Sequence, residues 1–268
     1  MLLFPNAKIN IGLNITRRLS SGYHTIESCF CPVGIHDIIE VKKSNSSNLI
    51  ETGIPITCKE KDNLLLKVLN EIKIDKSYSI HLHKNIPIGS GLGGGSSDAA
   101  FLIKYLNTKK ETKISKKNIL EIAESIGSDC PFFIDNKIQY VTGTGNIFDE
   151  ISIDIRNKYI VIYSPDEKIS TSDAYQAIKP KKPNYNLKEV LENENIENWK
   201  NFIKNDFEEF ALKKINSLKK IKDLLKNKGA KYISLSGSGS SVFGVFDDRK
   251  NTDYFIGHKN TYITKVIS

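Results

Sequence analysis

Residues 86–106, IPIGSGLGGGSSDAAFLIKYL, constrain the fold more than any other stretch. Five glycines (Gly89, Gly91, Gly93, Gly94 and Gly95) fall within seven positions, and an apolar run of helical period follows. Glycine loses more conformational entropy on folding than any other residue, so five together need a reason. A loop that runs into a helix N-terminus presents unpaired backbone N–H groups and the positive end of the macrodipole. Anions bind there, and glycine lets the backbone close round them as a nest of donors. Ser96 and Ser97 stand where the helix begins, with hydroxyls able to reach a phosphate oxygen or a magnesium ion. The expected ligand is therefore a polyphosphate. A Walker A loop needs a lysine after the last glycine, and none follows here. Gly89, Gly91 and Gly94 do fit G-x-G-x-x-G after the alternating Tyr78, Ile80 and Leu82. Pro87 and the glycine triplet suit a dinucleotide fingerprint poorly. A loop shaped by packing alone, with no ligand, is the remaining alternative.

Around this loop the chain reads as α+β. Residues 8–15, KINIGLNI, alternate apolar and polar, which predicts a strand with Lys8 and Asn10 on its polar face. Further strands are expected near 35–42, 78–84 and 138–142, and helices at 62–71, 96–107 and 116–126. The last has Ser115 as N-cap and Gly127 as its stop. KYIVIYSP at 158 opens a second half, placing a boundary near 155 and two domains, 1–155 and 156–268. A helical region over 187–228, broken near 196–198, ends at Gly229. KYISLSGSGSSVFGVFD then reads as strand, glycine turn, strand. The four cysteines show no C-x-x-C spacing and are expected to be buried thiols. No apolar run approaches a membrane span and the start lacks a secretory pattern, so a cytoplasmic protein is expected. The formal charge of +8 is spread over scattered lysines, a field that favours small anions over a nucleic-acid groove.

PIGSGLGGGSS at 87–97 fits the phosphate-loop signature P-x-x-x-G-L-G-x-[GS]-S-S, and by it the chain resembles the GHMP small-molecule kinases. PNAKINIGLNI at 5–15, SGYHTIES at 21–28, GSDCPFF at 127–133 and LSGSGSSVFGVF at 235–246 are similar to further motifs of the family. Together they point to the branch that phosphorylates a cytidine-diphosphate-linked methylerythritol on the non-mevalonate route to isoprenoids. The resemblance implies a two-domain α+β GHMP-kinase-like fold with its active site in the inter-domain cleft. It implies Lys8 and Asp129 as the catalytic pair. ATP would meet Asn63 and the loop residues Pro87, Ile88, Gly89, Ser90, Gly91, Leu92, Gly93, Gly94, Gly95, Ser96 and Ser97. The cytidyl substrate would meet Asn10, Tyr23, His24, Thr171 and Tyr175. ATP and Mg²⁺ are the implied cofactors, with no metal ligand identified beyond Ser97 as a possible partner. A small-molecule substrate, no nucleic acid, no membrane, and a monomer or weak homodimer complete the expectation. Two residues depart from the pattern: Cys130 stands where small aliphatics are usual, and Ser128 where alanine is common.

Phosphoryl transfer to an alcohol asks mainly for positioning and charge stabilisation. Asp129 is the candidate base for the alcohol proton, and Lys8 the cation that favours the developing alkoxide. The plainer readings are a turn aspartate before Pro131 satisfied by local N–H groups, an exposed strand lysine, and Tyr23 and His24 packed at a turn. A kinase for another alcohol, mevalonate- or homoserine-like, is a rival within the family. A non-catalytic nucleotide- or RNA-binding module using the positive charge is a rival outside it.

Overall fold

The computed structural model describes residues 1–57, 62–72, 77–110 and 113–267. Its contacts divide the chain into two compact units that alternate along the sequence. One comprises Met1–Ala7, Ile35–Ile88 and Gly93–Asn136; the other comprises Lys8–Gly34, Gly89–Leu92 and Lys137–Ser268.

The first unit holds a four-stranded sheet in the order β1 (Leu2–Leu3), β4 (Ile38–Ser44), β6 (Ser77–Lys84), β5 (Asn48–Gly53). Strand β6 pairs antiparallel with β4 and parallel with β5. The period-two pattern of β6 buries Tyr78, Ile80 and Leu82, and Lys84 sits on the same buried phase. Helices α1 (Leu64–Glu71), α2 (Gly94–Asn107), α3 (Lys116–Ile126) and α4 (Cys130–Asp135) complete the unit, with α2 packed against the other three. Ala99, Ala100, Leu102, Ile103 and Leu106 bury the core-facing side of α2. Ser115 caps α3, accepting from Asn118 N at 3.3 Å. Gly127 ends α3 as expected but with extended backbone, φ −175°, which any residue adopts.

The second unit contains two further sheets among the described residues. One runs β2 (Asn6–Arg18), β3 (His24–His36), β7 (Gln139–Thr142), β8 (Ile147–Glu150). The other runs β10 (Tyr232–Leu235), β11 (Val242–Phe246), β9 (Tyr159–Tyr163), β12 (Thr261–Lys265), all antiparallel. A Leu13–Asn205 bridge and a Val33–Val266 bridge fasten later segments of this unit to β2 and β3.

Several expectations are corrected. The strand expected over 35–42 is two strands separated at Asp37, which is fully buried. The helical region at 187–228 is four helices: α6 (Leu187–Asn193), α7 (Ile196–Phe202), α8 (Glu208–Lys214) and α9 (Ser217–Asn227), preceded by α5 (Thr171–Ala177). Its first break falls at Glu194–Asn195, because Asn195 starts a new helix, rather than at 196–198. The second falls where Asp206 Oδ2 accepts from Ile15 N at 2.7 Å and Asn205 Nδ2 donates to the carbonyls of Leu235 and Gly237, each at 2.9 Å. Gly229 follows α9 with φ +93°, the left-handed turn a C-terminal glycine supplies. Cys29, Cys31 and Cys130 are buried, unpaired thiols; Cys58 lies outside the described residues. No described helix is long and apolar enough to cross a membrane.

Candidate active site

Strand β2 delivers Lys8 and Asn10 from its even-numbered phase, as the alternation predicts, but that phase is covered. Lys8 is 3 % exposed and Asn10 1 %, so the reading of an exposed strand lysine does not hold. Lys8 Nζ donates to Asn10 Oδ1 at 2.6 Å and lies 4.6 Å from the centre of the Phe30 ring, a cation–π arrangement. Asn10 Nδ2 donates to Ser28 Oγ at 3.1 Å, and Ser28 Oγ donates to the Gly12 carbonyl at 2.6 Å. The Lys8 backbone N–H donates to the Leu92 carbonyl at 2.9 Å. The Asn10 backbone N–H donates to Ser236 Oγ at 3.3 Å, and that hydroxyl donates to the Gly91 carbonyl at 2.9 Å. A bonded chain thus joins the strand motif, the glycine loop and the second glycine turn. Ser28 and Ser236 carry it, and neither was singled out from sequence, although both lie inside the motifs quoted above.

The loop glycines have different neighbours. A Cβ on Gly91 would stand 2.0 Å from the Ser236 carbonyl oxygen, and its φ is +79°. Gly237, with φ +56°, answers from the other side, its Cβ position 3.2 Å from Gly91 Cα. Ser241 N donates to the Ser90 carbonyl at 3.0 Å, so the two turns lie backbone against backbone. The N-cap of α2 is Gly93, φ +71°, with no side-chain acceptor for the first-turn amides. Ser97, in that first turn, is fully buried and its hydroxyl finds no partner among the described residues. An uncapped first turn with an orphaned hydroxyl is the donor set a phosphate group would satisfy.

Asp129 is the N-cap residue of α4, with Pro131 just inside the helix, yet its side chain makes no capping hydrogen bond. Beside it Gly127, Cys130 and Ser96 come together: a Cβ on Gly127 would lie 3.2 Å from Cys130 Sγ and 3.6 Å from Ser96 Oγ. Burial pushes the Cys130 thiol up to about 12, so it is no nucleophile near neutral pH.

A third cluster is aromatic. His24 and Tyr175 have ring centres 4.9 Å apart, and Tyr175 meets Phe207 edge-on at 4.9 Å. Tyr23 is exposed. Burial first, and the nearby Arg18 charge second, hold the His24 imidazole below its ordinary value, which favours the neutral ring. Thr171, the first residue of α5, has its hydroxyl 3.2 Å from that of Ser238 in the second glycine turn. Asn63 is the N-cap of α1: Oδ1 accepts from Leu65 N at 3.0 Å and Nδ2 donates to Glu51 Oε1 at 2.7 Å.

The N-terminal domain of the GHMP kinases matches residues 63–137, and their C-terminal domain matches residues 187–253. The chain belongs to the GHMP kinases, a family of small-molecule kinases. It is 41 % identical over 250 residues to the 4-diphosphocytidyl-2-C-methyl-D-erythritol kinase of Parabacteroides distasonis, covering 92 % of each chain. It is 42 % identical over 252 residues to the enzyme of the same name from Azobacteroides pseudotrichonymphae, covering 92 % of this chain and 93 % of that one. A crystal structure of 4-(cytidine 5'-diphospho)-2C-methyl-D-erythritol kinase shares the fold, with a TM-score of 0.82 at 24 % identity over the whole of both chains.

Proposed function

We propose that this chain transfers the γ-phosphoryl group of ATP to a hydroxyl of 4-diphosphocytidyl-2-C-methyl-D-erythritol, in the cytoplasm, as a monomer or weak homodimer. The observation that carries the reading is the identity of about two residues in five to kinases of that name over nine-tenths of the chain. The motifs support it. Gly89 to Ser97 would hold the phosphates through backbone N–H groups, with Pro87 and Ile88 shaping the approach and Asn63 bordering the nucleotide. Asn63 has a second use as a cap, so its part in binding is the lesser one. Tyr23 and His24 would read the cytosine, a stacking face beside a neutral imidazole that can both donate and accept. Thr171 and Tyr175 would line the same pocket. We assign the two family domains to 1–155 and 156–268, a cut that leaves the matched segments 63–137 and 187–253 whole.

In this mechanism Asp129 takes the alcohol proton as the new P–O bond forms and the bond from the γ-phosphorus to the β,γ-bridging oxygen breaks, ADP leaving with that electron pair, and the Lys8 ammonium stabilises the alkoxide charge. Asn10 fixes the Lys8 side chain through the 2.6 Å bond, and the Ser28 hydroxyl fixes Asn10 in turn. Magnesium would offset the charge of the transferred phosphates, and the Ser97 hydroxyl at the head of α2 would help hold it. The orphaned Ser97 hydroxyl is the residue that fits such a group.

The test is ADP release, with the cytidyl alcohol compared against mevalonate and homoserine. We expect turnover with the cytidyl alcohol alone. Asp129→Asn should lower kcat by about 10²–10⁴ while ADP affinity stays near that of the parent. Equal turnover on a competing alcohol would overturn the substrate assignment, and full activity in the variant would overturn the base.

A further inference from the structure

Three ionisable side chains outside the proposed machinery are buried together: Lys84 is 3 % exposed, Asp37 0 % and Asp98 2 %. Lys84 Nζ donates to Asp37 Oδ2 and, at 2.9 Å, to Asp98 Oδ2. Asp37 Oδ1 accepts from the backbone N–H groups of Asn85 at 2.6 Å and Ile86 at 2.8 Å. Asp37 N in turn donates to the Pro5 carbonyl at 2.9 Å. Asp98 Oδ1 is buried and has no partner among the described residues. Taking ions out of water is costly, and apolar side chains of similar volume often stabilise a core as well or better. Stability alone is therefore a poor reason for one ammonium and two carboxyls here. What they offer that apolar groups lack is direction.

The directions converge on the glycine loop. Lys84 ends β6, and Asn85 and Ile86 are the first residues of the chain leading into the loop. Asp98 lies in the opening turns of α2, four residues beyond Gly94. The cluster therefore ties the loop's entry to its exit. Gly94 is pressed onto the tie: a Cβ there would lie 2.8 Å from Lys84 Nζ and 2.8 Å from Ile86 Cγ2. That glycine makes room for a buried ammonium rather than for a ligand.

We infer that Lys84, Asp37 and Asp98 are positioning residues, a buried clasp that sets the spacing between the two ends of the glycine loop and so the cradle for the nucleotide phosphates. The inference rests on the nucleotide-binding reading above. Burial pushes the Asp98 carboxyl well above the usual carboxylate range, against the pull of Lys84 and with the Asp37 charge adding to it. Its hold on Lys84 is thus one that a neutral carbonyl oxygen can reproduce.

The experiment measures ADP and cytidine 5'-diphosphate affinity by calorimetry on the full chain, with steady-state KM values alongside. Asp98→Ala should weaken ADP at least about 10-fold and raise KM for ATP in step, while cytidine 5'-diphosphate affinity moves less than about 2-fold. Asp98→Asn, which keeps the acceptor, should return ADP affinity to within about 3-fold of the parent. Gly94→Ala, which suits a helix better but displaces Lys84, should weaken ADP by about 5-fold or more. A folded Asp98→Ala or Gly94→Ala chain that binds ADP as the parent does overturns the inference, as does equal loss of both ligands. If neither variant folds, the cluster is a stability element and the positioning role is rejected. A parent chain that binds ADP but leaves the cytidyl alcohol untouched defeats the substrate assignment and leaves the clasp to be judged by these affinities. A parent that does not bind ADP removes both.

Discussion

Residues 89–92 and 93–97 form one glycine-rich stretch in sequence, yet they pack as two. The first part clusters with β2 and the second glycine turn, the second with β6 and the α-helices of the other unit. Gly91 is a glycine because the Ser236 carbonyl would stand 2.0 Å from any Cβ. Gly94 is one because of a lysine ammonium and an isoleucine. Gly93 starts a helix from the left-handed region. Among the described residues, Gly89 has nothing within 4 Å of its Cβ position, and Gly95 has only Leu64 Cδ1 at 3.7 Å. A run that reads as one ligand cradle is thus divided by cause. The protein's own packing accounts for Gly91 and Gly94, and space for a ligand can account only for the open positions.

Gly91→Ala should break this scheme most sharply. The substitution forces a left-handed residue, about 1–2 kcal/mol, and drives a Cβ into backbone that cannot rotate away. We expect a total loss of about 3 kcal/mol or more in denaturant unfolding. Because Ser236 links Gly91 to Asn10, activity should fall with it. A loss under about 1 kcal/mol would mean the two turns separate easily and that the contact does not explain this glycine.

The sequence made the strand at 8–15 legible because its apolar phase is unbroken, and the helix at 116–126 because Ser115 caps it. Resemblance to family motifs singles out Lys8, Asn10 and Asp129 as candidates for the chemistry. The sequence did not show that the polar phase of β2 is buried. Alternation reports which face is greasy, not what covers the other, and here Ser28 and Ser236 cover it with hydrogen bonds from 18 and 226 residues away. The four-way division of 187–228 was hidden for a similar reason. Asn205 and Asp206 leave the helical pattern to bind backbone at Leu235, Gly237 and Ile15, and no local period encodes that. Lys84 left one faint sign, a lysine on the phase of Tyr78, Ile80 and Leu82. Its partners at 37 and 98 lie too far along the chain for any spacing rule to collect them.

The next effect is smaller and tests the open half of the comparison. Gly89 has φ +62° and an unobstructed Cβ position. Gly89→Ala should therefore cost only the conformational term, about 1 kcal/mol, as a modest fall in unfolding midpoint. If open space there exists for the nucleotide, ADP affinity should fall more than stability does. A variant that loses about 3 kcal/mol or more would place Gly89 with Gly91, among the glycines set by packing.

Gly95→Ala should be smallest in stability and most telling in sign. The residue is exposed, second in α2, and among the described residues its Cβ position meets only Leu64 Cδ1, an ordinary contact at 3.7 Å. Alanine favours a helix over glycine by up to about 1 kcal/mol, less near an end, so the chain should gain about 0.5 kcal/mol. A new methyl at the head of the helix would nevertheless crowd a phosphate drawn to the first-turn amides. Stability up with ADP affinity down is the signature of a glycine kept for a ligand. Stability and affinity rising together would show that the phosphates lie elsewhere, and that packing and helix entry explain even this part of the loop.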